Sequence, residues 1–361
     1  MVSCGIVGMP NVGKSTLFCA LSKANAEVSS YPFCTIEANR AVVPVPDARL
    51  DRVGGIFEQE TRIPATVEFI DIAGLVRGAH EGHGLGNQFL AHVRQVDAIL
   101  HVVRCFDRPD VPHVESTVDG VRDAETVNLE LALADLATVE RRQQKAKRGM
   151  ALDEIQLEQR TLGKLHEALS RGTAARKLSF DPEEFRVVQE LFLLTMKPQL
   201  IIANVDEADV LSEGPRLMHI RDWARANGET VIPICAQLEQ EVGELDVNDA
   251  RAFVEEMGWP ELGLERVVEA SHRLLDLVTF FTAVGKECRA WTIPRGSTAQ
   301  QAAGKIHTDM AKGFQKADVI AFEALDQVAS WPAARDQGLI RSEGREYMVQ
   351  DGDVVVFKFS A

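Results

Sequence analysis

The sequence lacks the features that mark membrane, secreted or broadly nucleic-acid-binding proteins. No apolar run among its 361 residues is long enough to cross a bilayer, and the first motif begins so early that we expect no signal or transit peptide. Six cysteines are scattered without a CxxC pair, which predicts reduced thiols instead of a disulfide or zinc framework. A net charge of −15 argues against broad, non-specific binding of nucleic acid. These absences favour a globular, cytoplasmic protein of two or three domains.

A glycine-rich segment near the N-terminus carries the strongest positive signal. Residues 8–15 match the pattern GxxxxGK[ST], directly after the apolar run 4–7 and before a predicted helix. Glycines let several backbone N–H groups approach one phosphate group. Lys14 is expected to reach the β- and γ-phosphates as the catalytic cation, and the Ser15 hydroxyl to ligate Mg²⁺. A plain glycine turn with a solvated lysine is the alternative. The residues expected to bind a nucleoside triphosphate here are Asn11, Val12, Gly13, Lys14, Ser15 and Thr16.

Two further segments offer groups for the metal and the γ-phosphate. Asp71 and Gly74 form a DxxG motif at the end of the predicted strand 66–72. We expect Asp71 to hold Mg²⁺ through water and the Gly74 N–H to sense the γ-phosphate. Thr35 lies in a loop from which it can complete the Mg²⁺ shell, with an ordinary loop hydroxyl as the alternative. The glycine-rich stretch 78–87 is typical of a segment that orders around a γ-phosphate.

Apolar runs and helical spacing predict an α/β fold with a helical insertion. Buried strand-like runs alternate with helices, which is typical of a doubly wound, mostly parallel sheet; the runs are 5–8, 66–72, 98–103, 199–203 and 231–235. Between the third and fourth runs, strand signals vanish. The segments 125–148 and 153–170 have helical spacing and predict two long antiparallel helices. The nucleotide-binding domain is therefore expected at 1–120 and 198–277, with the helical insertion at 121–197.

The remaining residues, 278–361, predict a small mixed α/β unit. Its strand-like pieces are 288–293, 319–322, 347–349 and 354–359. Ser297 and Thr298 are suited to capping a helix that runs to about residue 311. The turn residues 350–353 predict a tight hairpin.

The motifs together resemble a known family. Residues 5–40, 71–79 and 98–106 are similar to the YchF subfamily of the Obg-related P-loop proteins, the Obg-like ATPases. The stretch 289–308 is similar to that family's TGS domain, a ubiquitin-like β-grasp unit. The resemblance covers nearly the whole chain and is least specific in the insertion. It implies a P-loop NTPase with an antiparallel coiled-coil projection and a C-terminal TGS domain. It also implies a translation-associated factor that hydrolyses nucleotide and contacts ribosomal particles.

The strand 199–203 leads into residues that bear on base choice. GTP-binding relatives read guanine with Asn-Lys-x-Asp, whereas here Asn204 is followed by Val205 and Glu207. Adenine pairs an N6 donor with an N1 acceptor, so a carboxylate with two acceptors no longer matches its edge. Asn204 can donate and accept, and Val205 offers apolar cover. We therefore expect ATP, with a guanine-reading Glu207 as the alternative. Cys235 follows the next strand, where relatives place a Ser-Ala loop over the base, and is a weaker donor.

The group that positions the attacking water is less well defined by sequence. Leu75 follows the DxxG motif in place of the glutamine used by Ras-like enzymes, so hydrolysis must use another group or be slow. His83 and His113 are the candidates, because imidazole can orient water or take its proton near neutral pH. The alternative is that both are surface loop histidines without a catalytic role.

A basic run in the insertion suggests a partner surface in an otherwise acidic protein. Its five charges can contact RNA phosphates, or they can form an ordinary solvated face; they are Arg141, Arg142, Lys145, Lys147 and Arg148.

Two functions thus fit the sequence. One is an Mg²⁺-dependent ATPase, and the other is a nucleotide-gated protein whose output is binding to a ribosome or RNA.

Overall fold

Two six-stranded sheets organise the part of the chain that the computed structural model describes, namely residues 2–24, 39–72, 85–144, 151–258 and 262–360. The strands of the N-terminal two thirds are β1 Val2–Val7, β2 Arg40–Pro44, β3 Thr61–Ile63, β4 Thr66–Asp71, β5 Ala98–Arg104, β6 Gln199–Asn204 and β7 Thr230–Ile234. The helices between them are α1 Lys14–Ala24, α2 Ala48–Ile56, α3 Leu85–Gln95, α4 Gly120–Gln144, α5 Leu152–Ser170, α6 Pro182–Gln189, α7 Asp209–Ser212, α8 Pro215–Asn227, α9 Ala236–Val242, α10 Val247–Glu256 and α11 Gly263–Leu274. No helix in these ranges is long and apolar enough to cross a membrane.

The first sheet has the strand order β2-β4-β1-β5-β6-β7. Only β2 runs antiparallel to its neighbour, and the other neighbouring strands in this sheet are parallel. Every residue of β5 and β6 is buried, which explains why both read as apolar runs. This confirms the predicted doubly wound, mostly parallel sheet. The carboxyl ends of its parallel strands meet at one edge, where ligands bind in such folds.

The insertion is an antiparallel helix pair, as predicted. The Arg142 guanidinium near the end of α4 donates to the Glu158 carboxylate of α5 at 2.5 Å, and Leu129, earlier in α4, approaches Gly172 just beyond α5. Apolar residues of both helices form one buried cluster with the segment 175–193. The buried Asp135 carboxylate accepts the N–H groups of Leu194 and Thr195, which fixes α4 to the chain that re-enters the sheet.

The second sheet is mixed and has the order β11-β10-β12-β8-β9-β3. Its own strands are β8 Leu277–Val284, β9 Glu287–Pro294, β10 Phe314–Ala321, β11 Arg341–Glu343 and β12 Asp353–Phe359, with helices α12 Ala299–Ile306, α13 Thr308–Lys312, α14 Phe322–Val328 and α15 Trp331–Asp336. The sixth strand, β3, comes from the first third of the chain and pairs in parallel with β9.

Three details of this C-terminal unit differ from the sequence-based expectations. The predicted helix 298–311 is interrupted at His307, whose extended backbone separates α12 from α13. Residues 347–349 are not a strand, because Met348 forms only an isolated bridge with Thr298. The turn 350–353 is therefore no hairpin. Its Gly352 instead donates to the carbonyl of Thr279 in β8 and accepts from Phe322.

The two sheets share one hydrophobic core and several polar contacts. A single cluster runs from β1 and α2 to residues of the second sheet such as Phe281 and Val354. The Arg49 guanidinium of α2 donates to Asp351 at 2.7 Å and lies over the Phe281 ring. The first and second sheets are thus packed against each other through α2.

A buried carboxylate in α9 gives the fold a pH dependence. Glu239 is 3% exposed and accepts the backbone N–H groups of Gly263 and Leu264, at the start of α11, at 2.7 and 3.3 Å. Those bonds favour the charged carboxylate, but burial outweighs them and raises the pKa of Glu239 from 4.5 to about 7.

We expect Glu239→Gln to change how the free energy of unfolding depends on pH, because glutamine does not titrate. Between pH 4.5 and 7 the folded chain holds the proton more tightly than the unfolded chain, so the contribution of Glu239 to stability falls as pH rises. The difference between wild type and variant should change by about 2 kcal/mol across this window. Urea unfolding at pH 5, 6, 7 and 8 measures it. Glu241→Gln, at an exposed position of the same helix, is the control. A difference that stays constant with pH would contradict the expectation.

Candidate functional site

The phosphate loop, residues 8–15, joins β1 to α1 with the backbone that its glycines allow. Gly13 has φ = +97°, and a Cβ at this position would lie 2.2 Å from the Asn204 amide nitrogen. Only glycine satisfies both constraints. Asn11 also has a positive φ of 60°, and its side chain donates to the Pro112 carbonyl at 3.1 Å. The loop is thereby held between β6 and the segment after β5.

Lys14 lies at the start of α1 with its ammonium group largely enclosed. The residue is 8% exposed, and Nζ donates to the Met9 carbonyl at 2.7 Å. Burial lowers the pKa of Lys14 to about 8, and the Asp71 carboxylate opposes that shift. The Lys14 charge is thus confined beside the loop backbone, where the motif predicts the β- and γ-phosphates.

Of the residues predicted to ligate magnesium, the two that the structure describes, Ser15 and Asp71, lie together. The Ser15 hydroxyl donates to Asp71 Oδ2 at 3.3 Å. Burial raises the pKa of Asp71 above its usual value, and Lys14 and the Ser15 hydroxyl oppose part of that shift. A hydroxyl and a carboxylate are hard oxygen donors that fit Mg²⁺, which takes few protein ligands and keeps several waters. Among the described residues, no group of three or more His, Cys, Asp or Glu side chains forms a separate metal cluster. Thr35 and Gly74 lie outside the described residues.

A cavity of about 660 Å³ extends from the phosphate loop along the carboxyl ends of the strands. This volume is in the range of small-molecule and cofactor sites. Its phosphate end is lined by Asn11, Gly13, Lys14, Ser15 and Thr16. Its other end is lined by Phe106, Arg108, Val111, Asn204, Val205, Asp206, Glu207, Cys235, Gln237, Leu238 and Glu241. Val12 is fully buried and does not line the cavity.

Asn204 connects segments instead of presenting a free amide to the cavity. Its Nδ2 donates to the Val12 carbonyl at 2.9 Å, and its Oδ1 accepts from the Ala236 N–H at 3.0 Å. Val205 is 2% exposed and packs in a cluster with residues of β5, β6 and α8, which limits its role as cover for a base. Glu207 is exposed at the cavity. Cys235 precedes α9 half-buried, and burial raises the pKa of its thiol.

Sequence reasoning missed the cavity wall that follows β5. Phe106, Arg108 and Val111 belong to the 105–113 loop, and Arg108 reaches across to hydrogen-bond Gln237 in α9. The signal was available, because β5 is a parallel strand whose carboxyl end must lie beside the phosphate loop. No motif marks these residues.

The two candidate histidines differ in what is described. His83 lies outside the described residues. The His113 side chain is 3% exposed, and its Nε2 lies 2.7 Å from Asp123 Oδ2 in α4. The Glu115 N–H donates to its Nδ1, so the proton of a neutral ring is on Nε2 and faces Asp123. In this arrangement both ring nitrogens are engaged and the ring does not line the cavity.

The basic run is only partly described. Arg141 is exposed, whereas Arg142 is paired with Glu158 and Glu190 in the insertion. Lys145, Lys147 and Arg148 lie outside the described residues. Arg142 therefore stabilises the helix pair, and its charge is largely compensated.

We expect Asn204→Ala to weaken every phosphate-containing ligand by a similar factor. The change leaves the Val12 carbonyl and the Ala236 N–H without their partners and releases the phosphate loop from α9. The lost buried hydrogen bonds are worth about 1–3 kcal/mol, or roughly 10- to 100-fold in affinity. Titration calorimetry with ATP, GTP and inorganic tripolyphosphate checks this. Asn227→Ala, which removes another side-chain amide at the end of α8, is the control. A loss limited to one nucleotide would show that Asn204 reads the base.

Known proteins are similar to this chain along its whole length. Residues 3–135 match a family model described as a 50S ribosome-binding GTPase, and residues 277–360 match the YchF-GTPase C-terminal model, described as a protein of unknown function. "Ribosome-binding ATPase YchF" of Haemophilus influenzae is 48% identical, with 99% of each chain covered. The Bacillus subtilis protein of the same name is 45% identical, again with 99% of each chain covered. The solved structure of the Schizosaccharomyces pombe YchF GTPase has a TM-score of 0.88 at 34% identity, covering 99% of this chain and 97% of that one. With its phosphate loop, helical insertion and C-terminal sheet all matched, this chain belongs to the YchF family.

Proposed function

We propose that this chain is an Mg²⁺-dependent ATPase that acts as a nucleotide switch on the ribosome, in the cytoplasm. The observation that carries the proposal is that one continuous cavity runs from Lys14 and Ser15 to Glu207. One end offers an ammonium group and backbone N–H groups to phosphates, and the other offers a mixed apolar and polar wall to a base. The bacterial relatives are named ribosome-binding ATPases, which supports the same activity here.

The choice of ATP over GTP rests on the base end of the cavity. The names of related proteins disagree, since the curated relatives are ATPases while a family model and the solved yeast structure are called GTPases. In this chain the amide of Asn204 is used within the protein, and Glu207 stands where guanine readers have aspartate. The Phe106 ring and Leu238 supply apolar surface that suits either purine. The cavity therefore lacks the aspartate that accepts the paired hydrogen bonds of guanine, and we propose adenine as the base.

The predicted phosphate and metal residues can each be given a role. We propose that Lys14 neutralises charge on the β- and γ-phosphates and that Ser15 and Asp71 hold Mg²⁺, with Thr35 and Gly74 completing the metal and γ-phosphate contacts. Bound Mg²⁺ would supply charge neutralisation on the phosphate oxygens. The enclosed position of Lys14 supports its role, because an ammonium group in a low-dielectric site acts more strongly on a phosphate than one in water.

We also propose His113 as the group that positions the attacking water. Its loop contacts the phosphate loop through the bond from Asn11 to Pro112, and Asp123 holds the imidazole in one tautomer. The ring must leave Asp123 to act, so the role belongs to a nucleotide-bound arrangement of the 105–113 loop.

We expect His113→Ala to lower kcat about 100-fold or more while KM for ATP stays near the wild-type value, because general-base and water-orienting groups act on the chemical step. Steady-state phosphate release at several ATP concentrations measures both constants. His219→Ala, at an exposed position on α8, is the control. An unchanged kcat would remove His113 from the mechanism.

The whole proposal is tested first by equilibrium binding of ATP and GTP with Mg²⁺, followed by turnover with and without ribosomes. We expect tighter binding of ATP, loss of turnover in Lys14→Ala, and faster turnover when ribosomes are present. Tighter binding of GTP would identify an Obg-type GTPase in which Glu207 reads guanine. Ribosome binding that depends on nucleotide but shows no turnover would identify a nucleotide-gated binding protein instead of an enzyme.

A further inference from the structure

A buried arginine that no sequence motif marks lies behind the cavity wall. Arg104 is the last residue of β5 and is 1% exposed. Its Nε donates to the Phe106 carbonyl at 3.2 Å, and its Nη2 donates to the Arg108 and Val111 carbonyls at 3.3 and 3.0 Å. The 105–113 loop has no helix or strand of its own. One side chain thus fixes three of its carbonyls.

The residues that Arg104 holds are those by which the loop lines the cavity. Phe106, Arg108 and Val111 all face the cavity, whereas Arg104 does not. The guanidinium carbon of Arg104 also lies 4.4 Å from the centre of the Phe106 ring, which is the geometry of a cation–π contact. Arg104 therefore reaches the cavity only through the loop that it supports.

Folding stability alone does not account for an arginine at this position. Within the described part of the chain, the Nη1 atom of Arg104 is buried and makes no hydrogen bond. A buried donor without a partner destabilises the fold, so this guanidinium is not optimised for stability alone. Methionine would fill much of the same volume without an unpaired donor, but it would no longer hold the three loop carbonyls. The position of the loop is the better explanation.

We propose that Arg104 is a positioning residue for the nucleotide base. It sets the 105–113 loop so that Phe106 and Val111 form an apolar wall and Arg108 can reach Gln237 across the cavity. The proposal rests on the nucleotide-binding function proposed above and deepens it. In the described contacts Arg104 touches no residue of the phosphate loop, and the carbonyl by which its loop meets Asn11 belongs to Pro112, which Arg104 does not hold. We therefore expect its effect to be larger at the base end than at the phosphate end.

The test compares Arg104→Met with wild type in equilibrium binding of ATP, GTP and inorganic tripolyphosphate. Displacing a binding wall by about 1 Å can change function on the order of 100-fold. We expect the nucleotide that wild type prefers to bind roughly 10- to 100-fold more weakly, while tripolyphosphate, which has no base, keeps its wild-type affinity.

Arg176→Met is the matched control. Arg176 is another largely buried arginine, and from the insertion it donates to the Thr195 carbonyl, Gln199 and Glu229 away from the cavity. Its replacement should reduce thermal stability without changing nucleotide affinity. The comparison separates loss of a buried arginine from loss of loop position.

Wild-type nucleotide affinity in a folded Arg104→Met variant would overturn the proposal, as would an equal loss for tripolyphosphate. Both results leave the proposed function standing, because wild type still binds nucleotide. If wild type bound neither nucleotide, the proposed function would fail first and this proposal with it. Should the methionine variant not fold, Arg104→Lys takes its place. Lysine keeps the charge but lacks the planar fork, so we expect an intermediate loss, and wild-type affinity would again overturn the proposal.

Discussion

The side-chain amide of Asn204 is the contact on which the cavity depends. It donates to the Val12 carbonyl of the phosphate loop and accepts from the Ala236 N–H at the start of α9, while its backbone belongs to β6. Only a group that both donates and accepts can make this pair of bonds, which excludes aspartate or an apolar residue. The amide also explains Gly13, because a Cβ there would collide with it. The phosphate end and the base end of the cavity are thus fixed relative to each other by one side chain.

The phosphate loop and the parallel sheet could be predicted because their signals are local. A motif of eight residues between an apolar run and a helix, or a run of buried strand residues, needs no distant partner to be recognised. The role of Asn204 could not be predicted, since its partner Val12 is 192 residues away in the sequence. The same limit applies to Met348, where strand-like residues receive only an isolated bridge from Thr298. Tertiary contacts overrode local propensity at that position.

The 105–113 loop shows a second limit of sequence reasoning. The apolar run 98–103 predicts a buried strand, but the arginine that follows it matches no motif. A charged residue at the carboxyl end of a buried parallel strand is nevertheless informative, because burial there requires partners. Arg104 finds them in the backbone of its own loop. The charged residue at the end of the strand is therefore more informative about the cavity wall than the apolar run itself.

The described contacts favour one route by which the nucleotide cavity can affect the rest of the chain. The two sheets share a continuous core through α2, so rotating one against the other would expose apolar surface at a high cost. The loop after β5 is held differently. It meets the phosphate loop through Asn11, and its His113 is bonded to Asp123 in the first turn of α4, whose far end carries Arg142. A shift of this loop that breaks the bond between His113 and Asp123 acts directly on α4. The helical insertion, more than the C-terminal sheet, is thus the element placed to respond to what occupies the cavity.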